Sequence, residues 1–293
     1  MNLFLAEMMS KGGVLWETSR LSQGDVQAGL FFLLLMCAGV AIDFALVVYC
    51  LKRPVRVSDW IPELTQRALS GRLVLLFSLI FVALYAVVSL AYSLFFDSIE
   101  IEPHTLFFQT LFFQVPALVI LFGILRLRKI DERECLGLAP GKTLRMFGLS
   151  ALLYLAALPF LWFYSLLYQI FLDQLGYSFY LQDVTQVFLV PLPWPTRTAV
   201  FFIAIVGAPV FEEIVFRGIL FPWLARRTGF WPGVVVVSAL FAALHLHLPS
   251  LLPLFLLSAM FCVAYARTRS LWVPIGMHAL FNAVSVLLLT LMG

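Results

Sequence analysis

Apolar runs dominate this chain, at about 28–51, 73–96, 105–125, 146–172, 198–222, 233–248, 251–266 and 271–291. A helix needs about 20 such residues to cross the hydrocarbon layer, and most of these runs reach that length. Little chain is left between them. Of the 293 residues 62% are hydrophobic and only 12% charged, with a mean hydropathy of +1.00. A water-facing domain carries about a quarter charged residues, so the polar surface here cannot coat a globule and the bilayer is the implied solvent. The expected fold is all-α, a polytopic transmembrane helix bundle of about eight spans. The sixth and seventh runs are short, with Pro249 and Pro253 marking the turn between them. Seven crossings, or a re-entrant sixth helix, are the alternatives.

The loops alternate in charge. The first carries Lys52, Arg53, Arg56, Arg67 and Arg72 against Asp59 and Glu63. The third carries Arg126, Arg128, Lys129, Arg133, Lys142 and Arg145; the fifth has Arg226 and Arg227, and the seventh Arg267 and Arg269. The second holds Asp97, Glu100 and Glu102 without Lys or Arg, the fourth is nearly neutral, and the sixth is uncharged. By the positive-inside rule the odd loops are cytoplasmic and both termini outside. The absence of organelle signals suggests a prokaryotic plasma membrane.

A net charge of +3, spread along the chain, gives no footprint for nucleic acid, so lipid is the expected surrounding partner. Cys37, Cys50, Cys135 and Cys262 are far apart with no C-x-x-C pair, and read as small buried hydrophobes rather than a disulfide framework. Residues 1–27 lack the basic start and short apolar stretch of a signal peptide and read as an interfacial lead-in. Residues 58–66 and 176–197 mix aromatics with proline or charge, a composition suited to headgroup level. No internal repeat suggests inverted transporter halves.

Ionisable groups inside hydrocarbon cost a few kcal/mol each and need partners or a task. The first four spans hold one clear case, Asp43, which reads as a packing or local water site. The last four hold Glu212, Glu213, Arg217, His245, His278 and Asn282. Pro209 removes a backbone donor one turn before the acids and frees carbonyls there. Successive helical residues point 100° apart, so Glu212 and Glu213 diverge. Arg217, four residues after Glu213, lies on its face within ion-pair reach. The simplest arrangement neutralises Glu213 with Arg217 and leaves Glu212 facing a cavity. Phe241 to His245 and His278 to Asn282 repeat the i, i+4 spacing, one helix face each. Carboxylates, imidazoles and a carboxamide form a hydrolytic set: a base to activate water, a proton shuttle, and a donor for a developing oxyanion. His247, on another face, has no assigned role.

The motifs Glu212-Glu213-Ile-Val-Phe-Arg217, Phe241-Ala-Ala-Leu-His245 and His278-Ala-Leu-Phe-Asn282, each in its own apolar segment, resemble the CAAX protease and bacteriocin-processing family. That family includes the type II CAAX prenyl endopeptidases. The resemblance covers roughly 195–290, and more loosely from about 135. It divides the chain into a lead-in (1–27), N-terminal transmembrane helices (28–134) and a CAAX-protease-like intramembrane catalytic core (135–293).

The resemblance implies a glutamic intramembrane endopeptidase. Glu212 would activate water, His245 would position it, and His278 with Asn282 would form the oxyanion site. Glu213, Arg217 and Phe241 would support the geometry, and no cofactor would be needed. The substrate would be a hydrophobic or C-terminally lipidated peptide or protein. Zinc held by Glu212, His245 and His278 is the competing reading, as the residue types suit it although no H-E-x-x-H occurs. A transporter and a non-catalytic scaffold or immunity protein are the readings from other classes.

Overall fold

The computed structural model describes residues 23–52, 56–96, 103–138, 143–177, 187–189 and 191–292. Residues 1–22 of the lead-in, and residues 178–186 and 190 of the segment at 176–197, lie outside the described residues. Among the described residues ten α-helical stretches follow in order: α1 Gln23–Lys52, α2 Ile61–Gln66, α3 Gly71–Phe95, α4 Thr105–Leu127, α5 Glu132–Leu136, α6 Thr143–Gln174, α7 Trp194–Thr228, α8 Phe230–Ala243, α9 Leu251–Thr268 and α10 Trp272–Met292. Seven of them, α1, α3, α4, α6, α7, α9 and α10, are long and apolar enough to cross a membrane. The chain is an integral, multi-pass membrane protein built as a helix bundle. Leu, Val and Phe side chains that would be a liability in water stand outward along α1 and α3, as a lipid solvent allows.

The expected sixth span is corrected. The helix there, α8, has 14 residues and rises only about 21 Å, short of the ~30 Å core. Its end has a local cause. The His245 ring nitrogen Nδ1 donates to the Phe241 carbonyl at 2.7 Å, occupying the acceptor a continuing helix would offer its amide. The His245 amide falls back to Ala242 O at 3.3 Å. Leu246 then takes a left-handed conformation, φ 49°, and Pro249 has no amide to resume the ladder. A single 3₁₀ turn, Leu248–Ser250, leads into α9.

The basic loops meet at one end of the bundle. Arg67 Nη1 donates to Arg269 O at 2.7 Å, and Arg269 pairs with Glu63 at 2.7 Å. The Leu271 amide donates to Gly137 O, and Tyr265 Oη to Leu136 O. Trp60 packs against Phe230 and lies under the Arg267 guanidinium. The first, third, fifth and seventh loops therefore share a face. Short α8, residues 244–247 and the 3₁₀ turn together lead the chain into α9, which ends at the Arg269 junction.

The cysteine expectation is half corrected. Cys135 and Cys262 are buried, whereas Cys37 and Cys50 face outward from α1. An outward thiol in a lipid-facing helix needs no core to accommodate it, and hydropathy cannot separate the two placements.

Three prolines shape the helices in one way. The wide turns Thr110–Gln114, Ile203–Gly207 and Ile214–Leu220 end two residues before Pro116, Pro209 and Pro222. Each closes with an i→i+5 bond, Val115 to Thr110 O, Ala208 to Ile203 O and Phe221 to Phe216 O. A proline ring collides with the carbonyl four residues back, and one extra residue in the preceding turn moves that carbonyl aside. Helix α7 thus crosses with two such turns, and Glu212 and Glu213 fall on the short α-helical piece between them, Ala208–Glu213.

Helix α10 is held against α6 through small residues. A Cβ on Gly276 would stand 2.5 Å from Ser150 Oγ and 2.7 Å from its Cβ. Close approach of this kind drives helix association where solvent supplies no hydrophobic force. Gly276→Val is expected to cost about 1–3 kcal/mol by overpacking. It would be read as a lower melting temperature in detergent and would displace His278, two residues on.

Candidate active site

The deepest part of the site is an ion pair. Glu213 and Arg217 are both fully buried, with Oε1 accepting from Nη1 at 2.7 Å across one turn of α7. The other guanidinium nitrogen, Nη2, donates to Ser258 Oγ at 2.6 Å and Ser258 O at 3.2 Å on α9. Three rings surround the guanidinium carbon: Phe241 at 4.8 Å, Phe261 at 5.0 Å and Phe216 at 5.9 Å. Aromatic faces are among the few apolar surfaces that favour a cation, so this cage offsets part of the desolvation.

The same carboxylate oxygen orients His278. Its Nδ1 lies 2.8 Å from Glu213 Oε1. A carboxylate only accepts, so Nδ1 carries the proton and, in the neutral ring, Nε2 presents a lone pair. That lone pair points to the second acid: Nε2 is 3.8 Å from Glu212 Oε2, beyond a direct hydrogen bond. Glu212 is the more open of the two acids, with 24% of its side chain exposed against none for Glu213. Its Oε2 has no hydrogen-bond partner among the described residues. The two adjacent glutamates therefore have different environments: Glu213 gives Oε1 to Arg217 and His278, whereas Glu212 is partly exposed and its buried Oε2 lies beside an imidazole without a hydrogen bond.

His245, just past the end of α8, also commits its Nδ1–H, to Phe241 O, which leaves Nε2 as its open nitrogen. Its ring is tilted 48° against that of Phe241 with centroids 4.8 Å apart, and Phe241 in turn meets the His278 ring at 5.9 Å. Phe241 is thus the hub between both imidazoles and the guanidinium. Asn282, one turn after His278, donates from Nδ2 to Ala204 O on α7 at 2.8 Å. Glu212, Glu213, Arg217 and His278 meet directly, His245 reaches them through Phe241, and Asn282 reaches back to the α7 backbone. His247 is buried away from this group, with Nδ1 and Ser250 Oγ 2.8 Å apart.

Ser258, Phe261 and Ala204 belong to the site and were not singled out by motif reading. A hydroxyl in the middle of an apolar span was the available signal for Ser258. Nothing in the sequence distinguishes Ala204, whose contribution is a backbone oxygen.

Of the three ligands in the zinc reading, Glu212 and His278 approach each other, and His278 keeps only Nε2 uncommitted. Among the described residues no three His, Cys, Asp or Glu side chains are grouped so as to hold a metal ion.

Residues 193–284 match the family described as type II CAAX prenyl endopeptidase Rce1-like. All three motifs fall inside that interval. A Bacillus subtilis (strain 168) protein described as "Putative membrane peptidase YdiL" is 38% identical over 85 residues, which are 29% of this chain and 34% of the relative. The chain thus spans about a third of the length of that relative. No solved structure matches the chain. The two glutamates on α7, the imidazole just past α8, and the imidazole and carboxamide on α10 all lie within the interval, residues 193–284, over which the chain is similar to the type II CAAX prenyl endopeptidase Rce1-like family.

Proposed function

We propose that this chain is a membrane-embedded endopeptidase that cleaves hydrophobic or C-terminally lipidated peptides with water activated by Glu212, without a metal. The observation that carries the reading is the unequal pair of acids: Glu213 is spent on Arg217 and His278, while Glu212 Oε2 faces His278 Nε2 across 3.8 Å. Both facing atoms are acceptors. A water seated beside them, giving one O–H to each, satisfies both and is polarised by both.

The proton balance follows from these positions. As the water oxygen attacks the scissile carbonyl, its proton passes to Glu212. The carbonyl oxygen becomes an oxyanion, for which Asn282 has a second Nδ2–H beyond the one given to Ala204. Collapse of the tetrahedral adduct breaks the C–N bond, and the proton held by Glu212 passes to the departing amine. His245 Nε2 is the second open imidazole nitrogen at the rim and is assigned the positioning of water. The bacterial relative and the basic-loop pattern favour a prokaryotic plasma membrane, with lipid as the surrounding partner.

Purified protein in detergent is expected to cleave a hydrophobic peptide at the same rate with and without a strong zinc chelator. Loss of activity in chelator, restored by zinc, would replace this reading with the metal-dependent one. Wild-type protein that cleaves none of a panel of prenylated and unprenylated peptides would favour the scaffold reading.

A further inference from the structure

In the wide turn Ile203–Gly207, Ala204 O stands where residue 209 would supply its amide in the same register. In i→i+5 register the Ala208 amide takes Ile203 O, and the next amide in line, at residue 209, would take Ala204 O. Residue 209 is proline and has none. The donor comes from another helix: Asn282 Nδ2 reaches Ala204 O at 2.8 Å.

This bond has a counterpart. His278 and Asn282 share one face of α10, a turn apart, and both reach α7, at Glu213 and at Ala204. The two anchor points lie on either side of Pro209 and Glu212. A helix interrupted by a wide turn and a proline can bend there, and its bend sets where Glu212 points. Two fixed distances to a second helix remove that freedom.

We propose that Asn282 is a positioning residue that stands in for the missing Pro209 amide and, with His278, fixes the bend that aims Glu212 at His278 Nε2. This rests on the protease reading for its catalytic consequence, but the backbone role stands by itself. It differs from oxyanion donation in the N–H concerned: one holds Ala204, and the oxyanion role falls to the other. The two roles also differ in what can replace them. A backbone amide at 209 can satisfy Ala204 O and cannot stabilise an oxyanion at position 282.

The test uses four full-length proteins in detergent: wild type, Asn282→Ala, Pro209→Ala and the double variant. Asn282→Ala is expected to lower kcat by about 10²-fold with KM little changed, the scale on which small misplacements of reacting groups act. In the Pro209→Ala background, where the new amide can serve Ala204 O, the same replacement should cost at least about tenfold less in kcat, the remaining loss being that of the oxyanion contact. Its loss of melting temperature should shrink likewise. Equal losses in both backgrounds would overturn the inference and leave Asn282 as an oxyanion donor only. Melting needs no substrate, so that half of the cycle decides the backbone role even if Pro209→Ala is inactive or no peptide is cleaved; additive melting losses would sink it.

Discussion

Glu212→Gln is expected to lower peptide cleavage by at least about 10³-fold while folded yield and melting temperature stay near wild type, within the range that positioned general bases contribute. The replacement keeps shape and volume and removes only the ability to accept a proton. Stability is spared because of what Glu212 does not hold. No Lys or Arg pairs with it among the described contacts, His278 Nε2 lies 3.8 Å away, beyond a direct hydrogen bond, and part of its side chain is exposed. Removing its charge therefore strands no buried partner. The measurement is kcat on a hydrophobic peptide, with size-exclusion yield and a melting curve on the same preparations. Full activity in the variant would move the base to another group. A collapse in folded yield would make Glu212 structural and leave its chemistry undefined.

The bundle was legible because length and hydropathy are local properties. Runs such as 73–96 and 105–125 map directly onto α3 and α4, and the charge alternation correctly groups the basic loops, which converge through Arg67, Gly137, Phe230 and Arg269. The sixth span was not legible. Residues 233–248 are as apolar as their neighbours, and the break depends on a side chain, His245, turning back onto Phe241 O. A hydropathy window registers the histidine as one polar residue, without the bond that ends the helix.

The candidate site divides along a similar line. Contacts within one helix follow from spacing, so the pairing of Glu213 with Arg217 could be read from four intervening steps. Contacts between helices could not. That His278 reaches Glu213 rather than Glu212 with its protonated nitrogen, that Ser258 closes the guanidinium shell, and that Asn282 serves a backbone oxygen all depend on how α7, α9 and α10 pack. The wide turns were equally hidden. Prolines announce a disturbed ladder, but not whether the helix kinks, stops or widens.

Arg217→Leu should be the most damaging single replacement to the fold, costing about 3–5 kcal/mol, the usual toll for breaking a buried pair and stranding its partner. A domain has roughly 5–15 kcal/mol in total, so folded yield in detergent should fall sharply. The reason lies in how much converges on one guanidinium: Glu213 Oε1, both oxygens of Ser258 and three aromatic rings. Arg217→Lys should not rescue it. A single ammonium cannot reach Glu213 and Ser258 on opposite sides or lie flat between Phe241 and Phe261. Glu213→Gln strands the arginine instead, but its carboxamide oxygen can still accept from His278 Nδ1, so the imidazole keeps its orientation. The double variant Glu213→Gln with Arg217→Leu should therefore melt well above the sum of the two single losses, because no unpaired charge remains. Strictly additive losses, or an Arg217→Leu protein that melts like wild type, would show that the pair is not what holds α7 and α9 together.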